Sequence, residues 1–183
     1  MSQVILDGRA MARALLTRRA LQAARGLDAL GVREGDAVAL LLRNDFAFLE
    51  AQQAAAALGA YAVPINWHGR PEEVLYIVED VRPRVLVGHA DLLAPVRERI
   101  PVDTAVVTVP TPPEAVRAFS LTDEATSVPA DALEWNAWLA GFAAWDGPPM
   151  RSRATMIYTS GTTGRAKGCL LYTSDAADDT PCV

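Results

Sequence analysis

An α/β protein with a largely parallel sheet is what the sequence predicts, on three observations. Segments with apolar residues every three or four positions alternate with short apolar runs, which implies helix and strand in turn. The runs show no polar alternation, as expected of strands covered on both faces. Glycine and proline punctuate the alternation at Gly31, Gly59, Pro64 and Pro71.

The elements follow in order. Leu16, Ala20, Ala23, Leu27 and Leu30 step by four and three and form one helix face, with Gly31 as its stop. Arg18 and Arg19, an isolated basic pair, are expected on a solvated helix face. Ala37 to Leu42 reads as a buried strand. Asp45 can cap the next helix, whose stripe is Ala47, Ala51, Ala54 and Leu58, ended by Gly59. Small residues on that stripe allow close packing on a sheet. Tyr61 to Ile65 is a short strand stopped near Pro64. Pro71 suits the first turn of a helix with an inner stripe of Val74, Ile77, Val78 and Val81. Glu72, Glu73 and Glu79 turn to water.

Val85 to Val87 and Ala105 to Val109 follow as strands, with a short helix near residues 91–99 between them. Residues 110–129 form a polar, proline-bearing connection. Asp131 and Glu134 have capping-box spacing. Trp135, Trp138, Leu139 and Phe142 make an aromatic face expected to pack in the core. A last strand, Thr155 to Tyr158, ends the pattern.

Composition narrows the function classes. Apolar residues make up 51% of 183, enough for a packed core and too many for disorder. The net charge is −5 and no basic stripe is visible, so nucleic-acid binding is not expected. No run is long enough to span a bilayer, and the N-terminus lacks a signal-like apolar segment. A soluble cytoplasmic protein is the expectation. Two cysteines, Cys169 and Cys182, are too few for a disulfide scaffold. His68 and His89 lack metal-like spacing and neither is assigned to catalysis; His68 is expected to be structural or near a pocket wall, and His89 to sit just past a strand end.

Chemistry concentrates after the last strand. The chain has sixteen arginines and a single lysine, Lys167. That lysine is the penultimate residue of the loop Thr159, Ser160, Gly161, Thr162, Thr163, Gly164, Arg165, Ala166, Lys167, Gly168. Glycines let backbone N–H groups turn toward an anion. Hydroxyls donate to phosphate oxygens and can ligate magnesium, and the lysine adds a point charge. Arg165 reads as a solvated loop residue. A Walker A loop would need glycine directly before the lysine and Ser or Thr after it, and neither is present.

From Tyr158 to Gly168 the chain resembles the signature loop of the acyl-adenylate-forming superfamily, with Ala166 where proline is common. Upstream, Gly26 to Trp67 resembles that family's first crossover units, and "PEEVLYIVEDVRPRVLV" resembles the next. The likeness covers most of residues 10–168, and the Asn66-Trp67-His68 ending with the short N-terminus points toward bacterial acyl-CoA synthetases. It implies the N-terminal part of the large domain of that fold, with an incomplete sheet. The family activates a carboxylic acid with ATP as acyl-AMP, then passes the acyl group to a thiol, often coenzyme A.

Carried onto this chain, the resemblance implies that Thr159, Ser160, Thr162 and Thr163 donate to the β- and γ-phosphates. Gly161 and Gly164 would permit close approach, Lys167 would balance charge on the departing pyrophosphate, and Thr159 would touch Mg2+. The partners implied are a carboxylic acid, fatty in the first instance, and ATP; the oligomeric state is left open. The family's second, C-terminal lysine has no counterpart here, since Lys167 stands alone.

Residues 1–168 are therefore expected to be a partial AMP-binding domain, inactive by itself and either aggregating or marginally stable. Residues 169–183 carry both cysteines and no basic residue. They resemble the translation of a sequencing-adapter end and are expected to be non-native. Two alternatives stay open: an adenylation domain that loads a carrier protein, and a short non-enzymatic nucleotide-binding module.

Overall fold

The computed structural model describes residues 2–148, 150, 151, 153, 155–160 and 166–171. Its centre is a five-stranded parallel sheet, β3 (Ala37–Leu41), β4 (Tyr61–Pro64), β5 (Val85–His89), β6 (Ala105–Val109) and β7 (Leu133–Glu134), in the order β4-β3-β5-β6-β7. The parallel α/β class read from the sequence is the class observed.

Each central strand faces two cores, which is why its sequence does not alternate. Val38 and Leu40 of β3 and Val85 and Val87 of β5 point into one core. Ala39, Leu41 and Leu86, the residues between, point into the other. Burying both faces removes nearly every side chain of these strands from water, which favours apolar residues; His89, at the end of β5, is the buried polar exception.

The first core is closed by α1 (Arg13–Ala29), α2 (Phe46–Ala57) and α7 (Trp135–Ala140). Ala47, Ala51, Ala54 and Ala55 let α2 lie close against α1 and the sheet. Asp45 caps α2 by accepting from the Phe48 N–H at 3.0 Å. Gly31 and Gly59 follow α1 and α2 at φ +86° and +64°, the left-handed geometry that stops a helix. Trp135 and Leu139 are buried, so the aromatic face packs in the core as expected.

The second core is closed by α3 (Pro71–Val81) and α4 (Ala90–Leu93). Pro71 opens α3, and Glu73 Oε2 accepts from the Arg70 N–H at 2.8 Å. The acidic residues Glu72, Glu73 and Glu79 are exposed. No helix among the described residues is long and apolar enough to cross a membrane.

Three readings are corrected, and one element is added. Arg19 does not lie on a solvated face: its Nε donates to the fully buried Glu50 at 2.6 Å, and Glu50 also accepts from Trp135 Nε1 at 2.9 Å. Glu134, rather than Asp131, caps α7, accepting from Asn136 N and Ala137 N at 2.9 and 2.7 Å. The connection 110–129 holds two helices, α5 (Pro113–Phe119) and α6 (Asp123–Thr126). The N-terminus is a hairpin, β1 (Gln3–Leu6) and β2 (Arg9–Ala12), turned at Asp7 and Gly8 with both φ positive. That Asp-Gly pair is a strong two-residue hairpin signal, and the sequence reading assigned no element before Leu16.

The last described element is an antiparallel hairpin, β8 (Thr155–Ser160) and β9 (Ala166–Leu171), with β8 lying against β4. Strand β8 runs two residues further than expected. Strand β9 was read as loop and tail, and it continues unbroken from Gly168 into Cys169.

Candidate functional site

The β8–β9 hairpin carries the residues singled out by sequence. Its register sets Thr159 directly opposite Lys167, Tyr158 opposite Gly168, and Ser160 opposite Ala166. Directly opposed residues of an antiparallel pair share a face. The Thr159 hydroxyl and the Lys167 ammonium therefore stand on one side of the ribbon, and both residues are exposed. Gly161, Thr162, Thr163, Gly164 and Arg165 lie outside the described residues, as do residues 172–183 with Cys182.

The opposite face is tethered. Tyr158 packs against the second core and donates its hydroxyl to Asp80 Oδ2, near the end of α3. Burial, then the Asp80 hydrogen bond and charge, with a smaller contribution from Tyr76, push the Tyr158 phenol above its ordinary value. Gly168 makes room for this ring: a β-carbon there would meet Tyr158 Cζ at 3.2 Å. Earlier along the same segment, Gln52 Nε2 donates to Thr155 Oγ1 at 3.4 Å. Arg153 Nη2 donates to Glu34 Oε1 at 3.0 Å and Nη1 to the Tyr61 hydroxyl at 3.3 Å.

A second polar cluster lies at the carboxyl ends of β3 and β5, where successive crossovers depart in opposite directions. In open α/β sheets this switch point is the usual ligand crevice. Arg43 donates to both carboxylate oxygens of Asp91, at 3.0 and 2.6 Å. Thr111 Oγ1 donates to Asp91 Oδ1 at 2.8 Å. His89, wholly buried, accepts the Arg43 backbone N–H on Nδ1 at 3.2 Å. Its Nε2 therefore carries the proton and donates to Asp45 Oδ2 at 3.1 Å.

Burial alone would raise the Asp91 carboxyl. The Arg43 and Thr111 hydrogen bonds, with the charge of Arg43, outweigh it and hold Asp91 below its ordinary value. The Arg43 guanidinium also stacks on Trp67 and Phe119, with centroid distances of 5.0 and 5.3 Å. Beside it opens a cavity of about 450 Å³ lined by Arg43, Asn44, Asp45, Trp67, Ala115 and Phe119.

Sequence reasoning did not find Arg43 or Asp91 as partners, because they are 48 positions apart. The available signal was that both directly follow a strand of a parallel sheet. His89, expected just past a strand end, is the last residue of β5. His68 is exposed and stacks on Trp67 at 3.5 Å. Among the described residues no cluster of His, Cys, Asp and Glu could hold a metal ion.

Comparison with known proteins adds the following. Residues 3–179 match the family model described as AMP-binding enzyme. The long-chain-fatty-acid–CoA ligase FadD15 of Mycobacterium bovis is 35% identical over 158 residues, covering 84% of this chain and 25% of that protein. The fatty acid–[acyl-carrier-protein] ligase ScoC of Streptomyces coeruleorubidus is 30% identical over 172 residues, covering 92% of this chain and 29% of that protein. Among solved structures, the anthranilate CoA ligase AuaEII in complex with anthranoyl-AMP superposes with a TM-score of 0.71 at 28% identity, covering 90% of this chain and 30% of that one. The chain thus spans about a quarter of the length of the curated relatives it matches.

Proposed function

Because the chain belongs to the AMP-binding enzyme family, we propose that it is part of an ATP-dependent acid–thiol ligase. Such a ligase joins a carboxylate to the α-phosphate of ATP, releases pyrophosphate, and passes the acyl group from acyl-AMP to coenzyme A. A fatty acid is the proposed substrate, on the strength of 35% identity with a long-chain-fatty-acid–CoA ligase. Residues 1–168 are the proposed partial AMP-binding domain and residues 169–183 a proposed non-native tail, a reading that fails if codons 169–179 do not match the adapter.

The observation that carries this reading is the opposition of Thr159 and Lys167 across the hairpin. An exposed hydroxyl and an exposed ammonium on one face suit a ligand made of anionic oxygens. In this reading Thr159 and Ser160, with Gly161, Thr162, Thr163 and Gly164, cradle the β- and γ-phosphates. Lys167 stabilises the charge that builds on the leaving pyrophosphate. The Thr159 hydroxyl is a hard oxygen ligand of the kind Mg2+ accepts, and the metal would neutralise phosphate charge.

The test is carboxylate-dependent ATP–pyrophosphate exchange, measured in a polypeptide of the relatives' length that carries this segment. Lys167→Met should lower it about a hundredfold, the usual cost of losing one such contact. Undiminished exchange refutes the assignment. Transfer to a carrier protein is a second reading, supported by the 30% identity with an acyl-carrier-protein ligase. Supplying coenzyme A or a carrier protein as acceptor separates the two.

A further inference from the structure

We propose that Tyr158 and Asp80 form a positioning latch that fixes the register of the β8–β9 hairpin, and with it the stance of Thr159 and Lys167. The inference rests on the reading of that face as the polyphosphate site.

The argument is about which contacts can tell one register from another. Side chains alternate along a strand, so a one-residue slip of β8 would turn Tyr158 outward and Thr159 toward the second core. Packing of the Tyr158 ring against the second core opposes that slip. A two-residue slip keeps the same faces in and out, so burial discriminates against it only weakly. A directed hydrogen bond does discriminate. The Tyr158 hydroxyl meets Asp80 Oδ2 in the observed register, and a two-residue slip, about 7 Å along the strand, would carry it out of reach.

The cross-strand partner completes the device. Gly168 stands opposite Tyr158, and a β-carbon there would lie 3.3 Å from Cε2 and 3.4 Å from Met156 Sδ. The ring therefore lies across β9 at the one position without a side chain. Tyr158 and Gly168 immediately precede and follow the Thr159–Lys167 pair in the ladder. The Gln52–Thr155 and Arg153–Glu34 contacts anchor the start of the segment, four or more residues from Thr159. The latch is the anchor adjacent to the functional pair.

The chain's single lysine gives the experiment its readout, because amine-reactive labelling then reports on Lys167 and the N-terminus only. Labelling of Lys167 is followed by mass spectrometry with and without Mg-ATP, in the wild type, Tyr158→Phe, Asp80→Ala and Asp80→Asn. Amide exchange across residues 155–160 and 166–171 is measured on the same samples. Tyr158→Phe keeps the ring and removes the hydroxyl. Asp80 is exposed, so its substitution spares the core.

The latch predicts that Tyr158→Phe and Asp80→Ala raise the ATP concentration for half-protection of Lys167 by about tenfold, the order for a hydrogen bond to a charged acceptor. Exchange should accelerate in the hairpin and stay unchanged in β3, β5 and β6. Asp80→Asn, which retains an acceptor oxygen, should recover part of the loss. Wild-type protection that Tyr158→Phe leaves intact, with unchanged hairpin exchange, overturns the latch and spares the functional reading. Absent wild-type protection with accelerated hairpin exchange in Tyr158→Phe spares the latch and overturns the functional reading. Exchange accelerated equally through the whole sheet overturns the latch, since it would mark general destabilisation.

Discussion

The indole of Trp138 fills the space that a side chain at Gly26 would occupy: a β-carbon there would lie 2.4 Å from Cζ2 and 2.6 Å from Cη2. Gly26 sits inside α1, where glycine is worse than alanine by about 1 kcal/mol. The close approach of α7 explains why it is tolerated. Trp138 cannot easily yield, because it packs on Trp135 at 5.6 Å and Phe142 at 5.5 Å. Gly26→Ala is therefore expected to destabilise by about 1–3 kcal/mol despite the better helix former. Urea unfolding checks the sign. Trp138→Leu in the same chain should remove most of the penalty.

Glu50 is a carboxylate with no exposed surface, held by Arg19 from α1 and Trp135 from α7. Removing one partner of a buried pair strands the other, at about 3–5 kcal/mol. Glu50→Ala should cost that much, and Arg19→Ala nearly as much. In a double-mutant cycle the paired substitution should cost clearly less than the sum. Additive costs would mean that the pair is not coupled.

The Arg43–Asp91 pair makes a prediction about acid. The Asp91 carboxyl is held below its ordinary value when folded, and the unfolded value is about 3.9. A depressed carboxyl contributes stability that is fully present above the unfolded value. That contribution is lost as pH falls from there through the folded value. The wild type should therefore lose stability below about pH 4 more steeply than Asp91→Asn. At neutral pH Asp91→Asn should be the less stable by about 1–3 kcal/mol, since it leaves the partly buried Arg43 without its counter-charge. Urea midpoints from pH 3 to 7, on the order of six points, decide it: a constant gap between the two proteins refutes the linkage.

How much of this was legible follows from the range of the causes. The strands of the sheet showed in the sequence because burial on both faces imposes a local rule, no polar residue from Val38 to Leu42. Asp45, Gly31 and Gly59 were legible for a similar reason: a cap or a left-handed stop is set within four residues. Arg19 was misread because its partner is 31 positions away, and an arginine aimed at a buried carboxylate looks like a solvated one. The Arg43–Asp91 and Tyr158–Asp80 contacts are non-local in the same way. Thr159 and Lys167 were recognised by type and order, but their opposition required the register of β8 on β9, which no single strand encodes.

That opposition supplies the last prediction. If Thr159 and Lys167 hold the same polyphosphate, their contributions to ATP use are coupled. In a polypeptide of the relatives' length, Thr159→Val should weaken ATP use by about tenfold, and Thr159→Ser, which keeps the hydroxyl, should not. Combined with Lys167→Met, Thr159→Val should add much less than its effect alone, because the ligand has already lost its grip on that face. The readout is kcat/KM for ATP in pyrophosphate exchange, for the wild type, both single variants and the double. Strict additivity would show that the two side chains, though they share a face of the hairpin, do not share a ligand.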